Sequence, residues 1–449
     1  MLVLLTHANH LYSDRKQVRK MQPYPPLQTL IAAAALRREG HSVLFADTTF
    51  DRDLSSHIRK RRPDLIAVCE DNFNFLTKMC LLQNRSFAFE IAALAKAEGV
   101  QAIVNSSDAT DNPALYLEAG FDAVIVGELE ATLLDVCRSG FKVAGTAFRN
   151  SAGAVCYGPP RRLIEDLDLL PPPAWDLLDA DSYRRAWVDA HGFFCLNLVA
   201  SRGCPYRCNW CAKPVYGAAY RHVTPLRAAQ EMAHVKNALH PERLWFADDI
   251  FGLSAAWTRE FARAVEDLDA RIPFKMQSRC DLMTRDTVAA LRRAGCDEVW
   301  MGVESGSQRI LDAMEKGIRV EHIYRARENL RRHGIRACYF LQFGYLGETW
   351  EDIERTIQLV RETRPDDIGV SVSYPLPGTR FYHIVSSQLG RESHWKQSGD
   401  LTLMYSGTFP SEFYRALAAA LHLEVGPAAP PDQLRSAWEE VEELRCACC

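Results

Sequence analysis

The run Ser201-Arg202-Gly203-Cys204-Pro205-Tyr206-Arg207-Cys208-Asn209-Trp210-Cys211 governs the reading of the whole chain. It follows Phe193 to Ala200 (FFCLNLVA), an apolar run of buried-strand length, and Arg202-Gly203 supplies the turn that carries three thiols past the strand's C-terminal end. Parallel β/α barrels keep their chemistry at that end. Three cysteines at CxxxCxxC spacing are too close to be independent. They are also too few for a structural zinc site, which takes four protein ligands, and nothing after Cys211 offers a partner CxxC pair. Three thiolates can hold three irons of a [4Fe–4S] cluster and leave the fourth iron open to a substrate. Free buried cysteines and a chance match, in a chain with 14 cysteines, are the competing readings.

With an aromatic residue just before its last cysteine, this motif at the end of a first barrel strand resembles that of radical SAM enzymes. The resemblance implies that Cys204, Cys208 and Cys211 ligate the cluster and that its open iron chelates the amino and carboxyl groups of S-adenosylmethionine. An electron from the cluster then breaks a carbon–sulfur bond. The same resemblance extends over nearly the whole chain.

At 449 residues, 47% of them hydrophobic, the chain is long enough for two or three domains with sizeable cores. A formal net charge of -4 and no concentrated Lys/Arg block give no footprint for nucleic acid or an anionic membrane; Arg59-Lys60-Arg61-Arg62 is a short, solvated helix end. No apolar run reaches membrane-span length, and MLVLLTH at the start is strand-sized, without a basic flank. A cytoplasmic protein with reduced thiols is expected, rather than a disulfide framework.

Residues 1–150 alternate apolar runs with amphipathic stretches, the pattern of an α/β doubly wound parallel sheet. MLVLLT is its first strand, Pro25-Pro26 opens the helix LQTLIAAAALRREG, and HSVLFAD, LIAVCE, QAIVN and DAVIVGE follow as strands. These phrases resemble the cobalamin-binding Rossmann domain that precedes one class of radical SAM barrels. The DxHxxG signature, whose His ligates cobalt, is missing, and His7, His10, His41 and His57 read as loop or turn residues. Cobalamin is therefore an open expectation, bound without a protein ligand to cobalt if bound at all. Glu70, Asp71 and Asn72 stand at a strand end as ligand contacts or a helix cap.

Residues 151–190 turn proline-rich around Gly158-Pro159-Pro160 and Pro171-Pro172-Pro173, as a linker does, and its aromatics are expected to pack on the barrel. Residues 191–385 repeat strand then helix about six times, predicting a partial (β/α)6 barrel. Its strand ends carry the candidate S-adenosylmethionine contacts. RLWFADD ends in Asp248 and Asp249, FKMQSRCDL carries Gln277, Arg279 and Asp281, and VWMGVESG ends in Glu304 and Ser305. The resemblance implies that the Asp248 position meets the methionyl amino group and Glu304 the ribose or methionyl group. SQRILDAMEKG reads as a helix capped by Gly317. A carbon radical must be kept from water and beside its acceptor, so the acceptor site is expected where the two domains meet.

Residues 386–449 form a helical segment, with helices from near Ser411 and over PDQLRSAWEEVEEL, ending in Cys446, Cys448 and Cys449. Incidental cysteines, a strained vicinal disulfide and a second cluster compete with a fourth reading, three soft thiolates closing on pyramidal As(III). The tail on this body resembles the radical SAM enzyme of arsinothricin biosynthesis, which implies transfer of a 3-amino-3-carboxypropyl group to trivalent arsenic. The alternatives are a cobalamin-dependent radical SAM methyltransferase or cyclase and, in another class, a non-catalytic metal sensor. A reductant of flavodoxin or ferredoxin type is the expected protein partner.

Overall fold

The computed structural model describes residues 1–73, 81–212, 215–389, 401–427 and 429–447. By packing, the chain divides into two compact units, Met1–Cys204 with Lys213–Asp248, and Pro205–Ala212 with Asp249–Cys449.

The first unit holds a seven-stranded sheet in the order β2-β1-β3-β4-β5-β6-β7. Its strands are β1 (Leu2–Thr6), β2 (Ser42–Ala46), β3 (Leu65–Cys69), β4 (Gln101–Asn105), β5 (Ala123–Ile125), β6 (Thr146–Arg149) and β7 (Val155–Tyr157). β1 to β5 pair in parallel, whereas β6 and β7 close the edge antiparallel. The expected parallel sheet is thus extended by a hairpin, because Asn150 and Gly153 turn the chain back, the Gly153 N–H donating to the Asn150 carbonyl at 2.9 Å. All five residues of β3 are buried, as a strand covered on both faces requires. One covering helix is Leu27–Arg38, entered through Pro26, whose fixed φ and missing N–H suit a helix start.

Also in this unit, β8 (Cys195–Leu198) pairs in parallel with β11 (Arg243–Phe246), Leu196 opposite Leu244. Between them lie the short antiparallel pair β9 (Ser201–Arg202) and β10 (Arg221–His222) and the helix Pro225–Ala238, capped by Thr224. The linker aromatics depart from expectation. The Tyr183 hydroxyl donates to Asp47 at 2.7 Å and lies 2.8 Å from the Thr49 hydroxyl, its ring packs edge-on to Phe50, and the Trp187 indole donates to the Pro23 carbonyl. They dock on the N-terminal sheet because its strand-end hydroxyl, carboxylate and carbonyl groups satisfy their polar tips.

In the second unit β12 (Phe274–Ser278), β13 (Cys296–Glu304), β14 (Arg336–Phe343) and β15 (Asp367–Val372) pair in that order, all parallel. Helices Ala255–Asp267, Arg285–Ala294, Val320–Arg332 and Trp350–Thr363 alternate with them. The expected C-terminal helices are present as Ser411–Val425 and Pro431–Cys446, which pack together. Among the described residues no helix is long and apolar enough to cross a membrane.

One boundary differs in a way that matters for the site. The helix after β13 covers only Gln308–Ala313, and Glu315, at φ 53, is its first left-handed residue. The chain leaves the helix early and Lys316 turns inward, its N–H closing on the Leu311 carbonyl at 3.0 Å.

Candidate active site

In the second unit the cysteine loop is anchored through the residue between its thiols. Asn209 donates through Nδ2 to the Ala313 carbonyl at 2.7 Å and to the Tyr345 hydroxyl at 2.9 Å. Its backbone N–H reaches the Met314 carbonyl, and its carbonyl accepts from Phe381 N–H. Four bonds from one buried residue hold the backbone between Cys208 and Cys211. Two buried cations stand beside this loop. The Arg279 guanidinium lies 3.6 Å from the centre of the Tyr206 ring and is paired with Asp281 at 3.0 Å. The Lys316 ammonium is 2.6 Å from Glu304 Oε1 and 5.8 Å from the Trp210 ring centre.

Burial works against the charge on Lys316, yet its pKa is raised, because Glu304 and Cys208 favour the ammonium. Burial likewise opposes Arg279, and Asp281, Tyr206 and Cys208 outweigh it. Glu304 itself stands at φ 63, where the register of β13 against β14 slips after Gly302. A bulky residue in that conformation at a strand end is a local strain of the kind found at ligand sites. Gly302 makes room for it: a Cβ there would lie 2.6 Å from Lys316 Nζ and 2.7 Å from Glu304 Oε1.

In the first unit, Arg202, two residues before Cys204, is buried in a ring of charge. It pairs with Glu130 at 2.6 Å and Glu128 at 3.2 Å, and Arg221 meets Glu128 at 2.8 Å. The stacked rings of Phe73 and Tyr216 each lie 5.3 Å from its guanidinium. Gly203 follows at φ +79 with the Ala219 carbonyl only 2.3 Å from where a Cβ would be, so only glycine passes here. Asp248 accepts from Ala200 N–H at 3.2 Å and from the Ser201 hydroxyl, pinning the exit of β8.

The ends of β1 to β4 carry a buried polar network. His7 is held by Asp47 at 2.9 Å through Nε2 and accepts the Asn9 N–H on Nδ1, so both its ring nitrogens are engaged, and His10 bonds the Ser13 hydroxyl through Nδ1. Burial lowers the His7 pKa, but Asp47 outweighs it and raises it on balance. Gln28, Asn72, Asn105 and Ser107 are joined by hydrogen bonds, and Tyr216 adds its hydroxyl to Gln28. Burial pushes the Asp71 carboxyl up to about 7 and raises Glu70 as well. Asn197 of β8 reaches this network, donating to the Pro25 carbonyl at 3.1 Å and lying 3.5 Å from Asp71.

Of the residues singled out in the sequence, Arg279 stands against Tyr206 of the cysteine loop, and Glu304 is tied to that loop through Lys316. Cys204, Cys208 and Cys211 are all half-buried. Gln277 is half-buried, Asp249 is exposed, and Ser305 is fully buried in a turn, against Thr356 at 3.2 Å and Ser307 N–H at 3.1 Å. Cys446, the last residue of its helix, is exposed; Cys448 and Cys449 lie outside the described residues. Sequence reasoning missed Lys316, Asn209, Tyr206 and the Arg202–Glu130 pair. A signal existed for two of them, the unused polar residue between the cysteines and the acidic pair that ends GELE.

The donor set fits an iron–sulfur cluster: three thiols on one short stretch, with two buried cations, Arg279 and Lys316, against the loop's Tyr206 and Trp210 rings. Among the described residues no three His, Cys, Asp or Glu side chains gather as one bound metal ion would require. A cube holds each thiolate on a different iron, so its ligands stand apart. For cobalamin, the strand-end amides Gln28, Asn72 and Asn105 are buried and bonded to one another, and present no free amide to a corrin.

Residues 198–360 match the radical SAM superfamily. An uncharacterized methyltransferase of Pyrococcus horikoshii is 27% identical over 390 residues, 83% of this chain and 81% of that protein. The hopanoid C-3 methylase of Methylococcus capsulatus is 26% identical over 387 residues, 81% and 69% of the two chains. Among solved structures, the cobalamin-dependent S-adenosylmethionine radical enzyme OxsB, with aqua-cobalamin and S-adenosylmethionine bound, aligns with a TM-score of 0.74 at 16% identity. That alignment covers 100% of this chain and 71% of that one, a likeness of fold. The chain therefore carries a radical SAM domain, whose cofactors are a [4Fe–4S] cluster and S-adenosylmethionine. Its fold is that of the cobalamin-dependent radical SAM enzymes.

Proposed function

We propose that this protein is a cobalamin-dependent radical SAM methyltransferase acting on a small molecule. The observation that carries the reading is that the radical SAM match lies within a chain for which two relatives aligned over about four-fifths of its length are named for methyl transfer, beside others named as anaerobic magnesium-protoporphyrin IX monomethyl ester cyclases. When bound, the cluster supplies one electron, S-adenosylmethionine supplies the methyl group and the 5′-deoxyadenosyl radical, and cobalamin carries the methyl group. The protein's part is to hold and to exclude. Cys204, Cys208 and Cys211 hold three irons as thiolates. Arg279, Gln277 and Glu304 face S-adenosylmethionine from the ends of β12 and β13. Ser305 and Asp248 act one step back, fixing the turn after β13 and the exit of β8. A low-potential one-electron donor of flavodoxin or ferredoxin type completes the system.

Transfer of an aminocarboxypropyl group to arsenic draws on the cysteine tail alone, and the relatives above give it no support. Product analysis separates the readings. Reconstituted, reduced protein incubated with S-adenosylmethionine and cobalamin is expected to release S-adenosylhomocysteine. Release of 5′-deoxyadenosine alone would favour a cyclase, and 5′-methylthioadenosine would favour aminocarboxypropyl transfer; either overturns the proposal. The cluster is tested separately. Anaerobic reconstitution is expected to give about four iron per chain, and a Cys208→Ala protein that kept them would refute the ligand set.

A further inference from the structure

We propose that Lys316, through its ion pair with Glu304, is a positioning residue that sets the reduction potential of the cluster. The inference rests on the cluster reading above. It goes beyond that reading in assigning a role to a residue outside the cysteine motif and outside the strand ends.

Three observations converge on Lys316. Its ammonium is buried in the second unit, 2.6 Å from Glu304 Oε1, with the Trp210 ring at 5.8 Å, so the charge lies directly beside the cysteine loop. The chain is shaped to deliver it there: the helix after β13 stops at Ala313, Glu315 takes a left-handed turn, and Gly302 leaves the space that the pair fills. A second buried cation, Arg279, stands against the same loop, 3.6 Å from the centre of the Tyr206 ring. A buried lysine is costly and is retained where it is paired. Glu304 alone would pair it equally well at the surface, so burial beside the cysteines calls for a use.

That use follows from charge. A cube held by three thiolates is anionic and gains one more negative charge on reduction. A fixed cation beside the loop that holds it favours the reduced form, and in a medium of low dielectric its effect is large. Glu304 offsets part of it. The pair therefore acts as a setting with two directions. Removing the carboxylate exposes the cation and raises the potential; removing the cation lowers it. No bond is made or broken in this step. One electron passes from an external donor to the cluster, and dithionite with redox mediators supplies it in the test.

The experiment is a mediated redox titration of reconstituted full-length protein, followed by the electron paramagnetic resonance signal of the reduced cluster. Glu304→Gln is expected to shift the midpoint upward and Lys316→Met downward, with Lys316→Arg close to wild type. If Lys316→Met fails to fold or to take up iron, Glu304→Gln and the neutral double variant Lys316→Gln/Glu304→Gln carry the test. The double variant is expected to lie below Glu304→Gln. Four iron in wild type with coincident midpoints in all variants, or shifts of the opposite sign, overturns the inference and leaves the cluster reading intact. Wild-type protein without a cluster overturns the cluster reading instead.

Discussion

Asn209 has no chemistry of its own to offer iron, yet it anchors the turn between Cys208 and Cys211. Its side chain and backbone tie the Cys208–Cys211 turn to Ala313, Met314, Tyr345 and Phe381. Replacing it with alanine removes the amide from the Ala313 carbonyl and the Tyr345 hydroxyl, which keep only their bond to each other at 2.9 Å, a loss of about 0.5–1.5 kcal/mol per hydrogen bond. Asn209→Ala is therefore expected to lower the thermal midpoint and to lose iron faster than wild type to a chelator, with Asn209→Asp recovering only part. Gly203→Ala is the harsher change. Its methyl group would meet the Ala219 carbonyl at 2.3 Å on a backbone at φ +79, and a strained, poorly folded protein is expected on thermal unfolding.

Two elements expose how burial decides the behaviour of like side chains. At the start of the helix Trp350–Thr363, Asp352 accepts from Thr349 N–H at 2.9 Å and from the Ser307 hydroxyl at 2.6 Å, and it pairs with Arg309. Burial works against its charge, and these bonds override it, holding the carboxyl down at about 2. Glu348, four residues earlier, is buried with only the Gly344 N–H bonded to Oε2, so burial pushes it up to about 8. The signs differ accordingly. A carboxyl raised in the folded state favours folding fully below its unfolded value near 4.5, and that contribution is lost as pH rises to about 8. Wild type is expected to lose stability relative to Glu348→Gln between pH 4.5 and 8, read as the difference of their thermal midpoints. The charged ring around Arg202 makes the complementary case. Glu130→Gln breaks a buried pair and leaves Arg202 with a single carboxylate, which is expected to cost about 3–5 kcal/mol in thermal or denaturant unfolding.

At the scale of the molecule, the packing units do not follow the strand–helix repeat. β8 and β11 fall in the first packing unit, and the cysteine run itself is divided after Cys204. Cobalamin binding to the first unit would show as stabilisation of the intact protein by mass action, about 2.7 kcal/mol at a hundredfold excess over Kd. A rise in the thermal midpoint with added cobalamin, together with a visible spectrum that changes on mixing, is the expected result. An unchanged midpoint and an additive spectrum would remove cobalamin from the proposal. Much of this architecture was legible beforehand. The alternation of apolar runs with amphipathic stretches marked the parallel sheets, and the helices from Ser411 and Pro431 were readable from their patterns. The hairpin of β6 and β7 and the early end of the helix at Ala313 were not, although both turns are local, and the docking of Tyr183 was not because its partner Asp47 lies 136 residues away in the chain.

The sequence by itself determined where strands and helices fall and which three thiols share one turn, because periodicity, proline and glycine placement and close spacing are local properties of the chain. Only the tertiary structure decided which charges are buried and with whom: Arg202 with Glu130, 72 residues earlier, and Lys316 with Glu304 at the bulged end of β13. A charged side chain looks the same in sequence whether it will be solvated or enclosed. Its role is settled when folding removes its water and obliges it to find a partner.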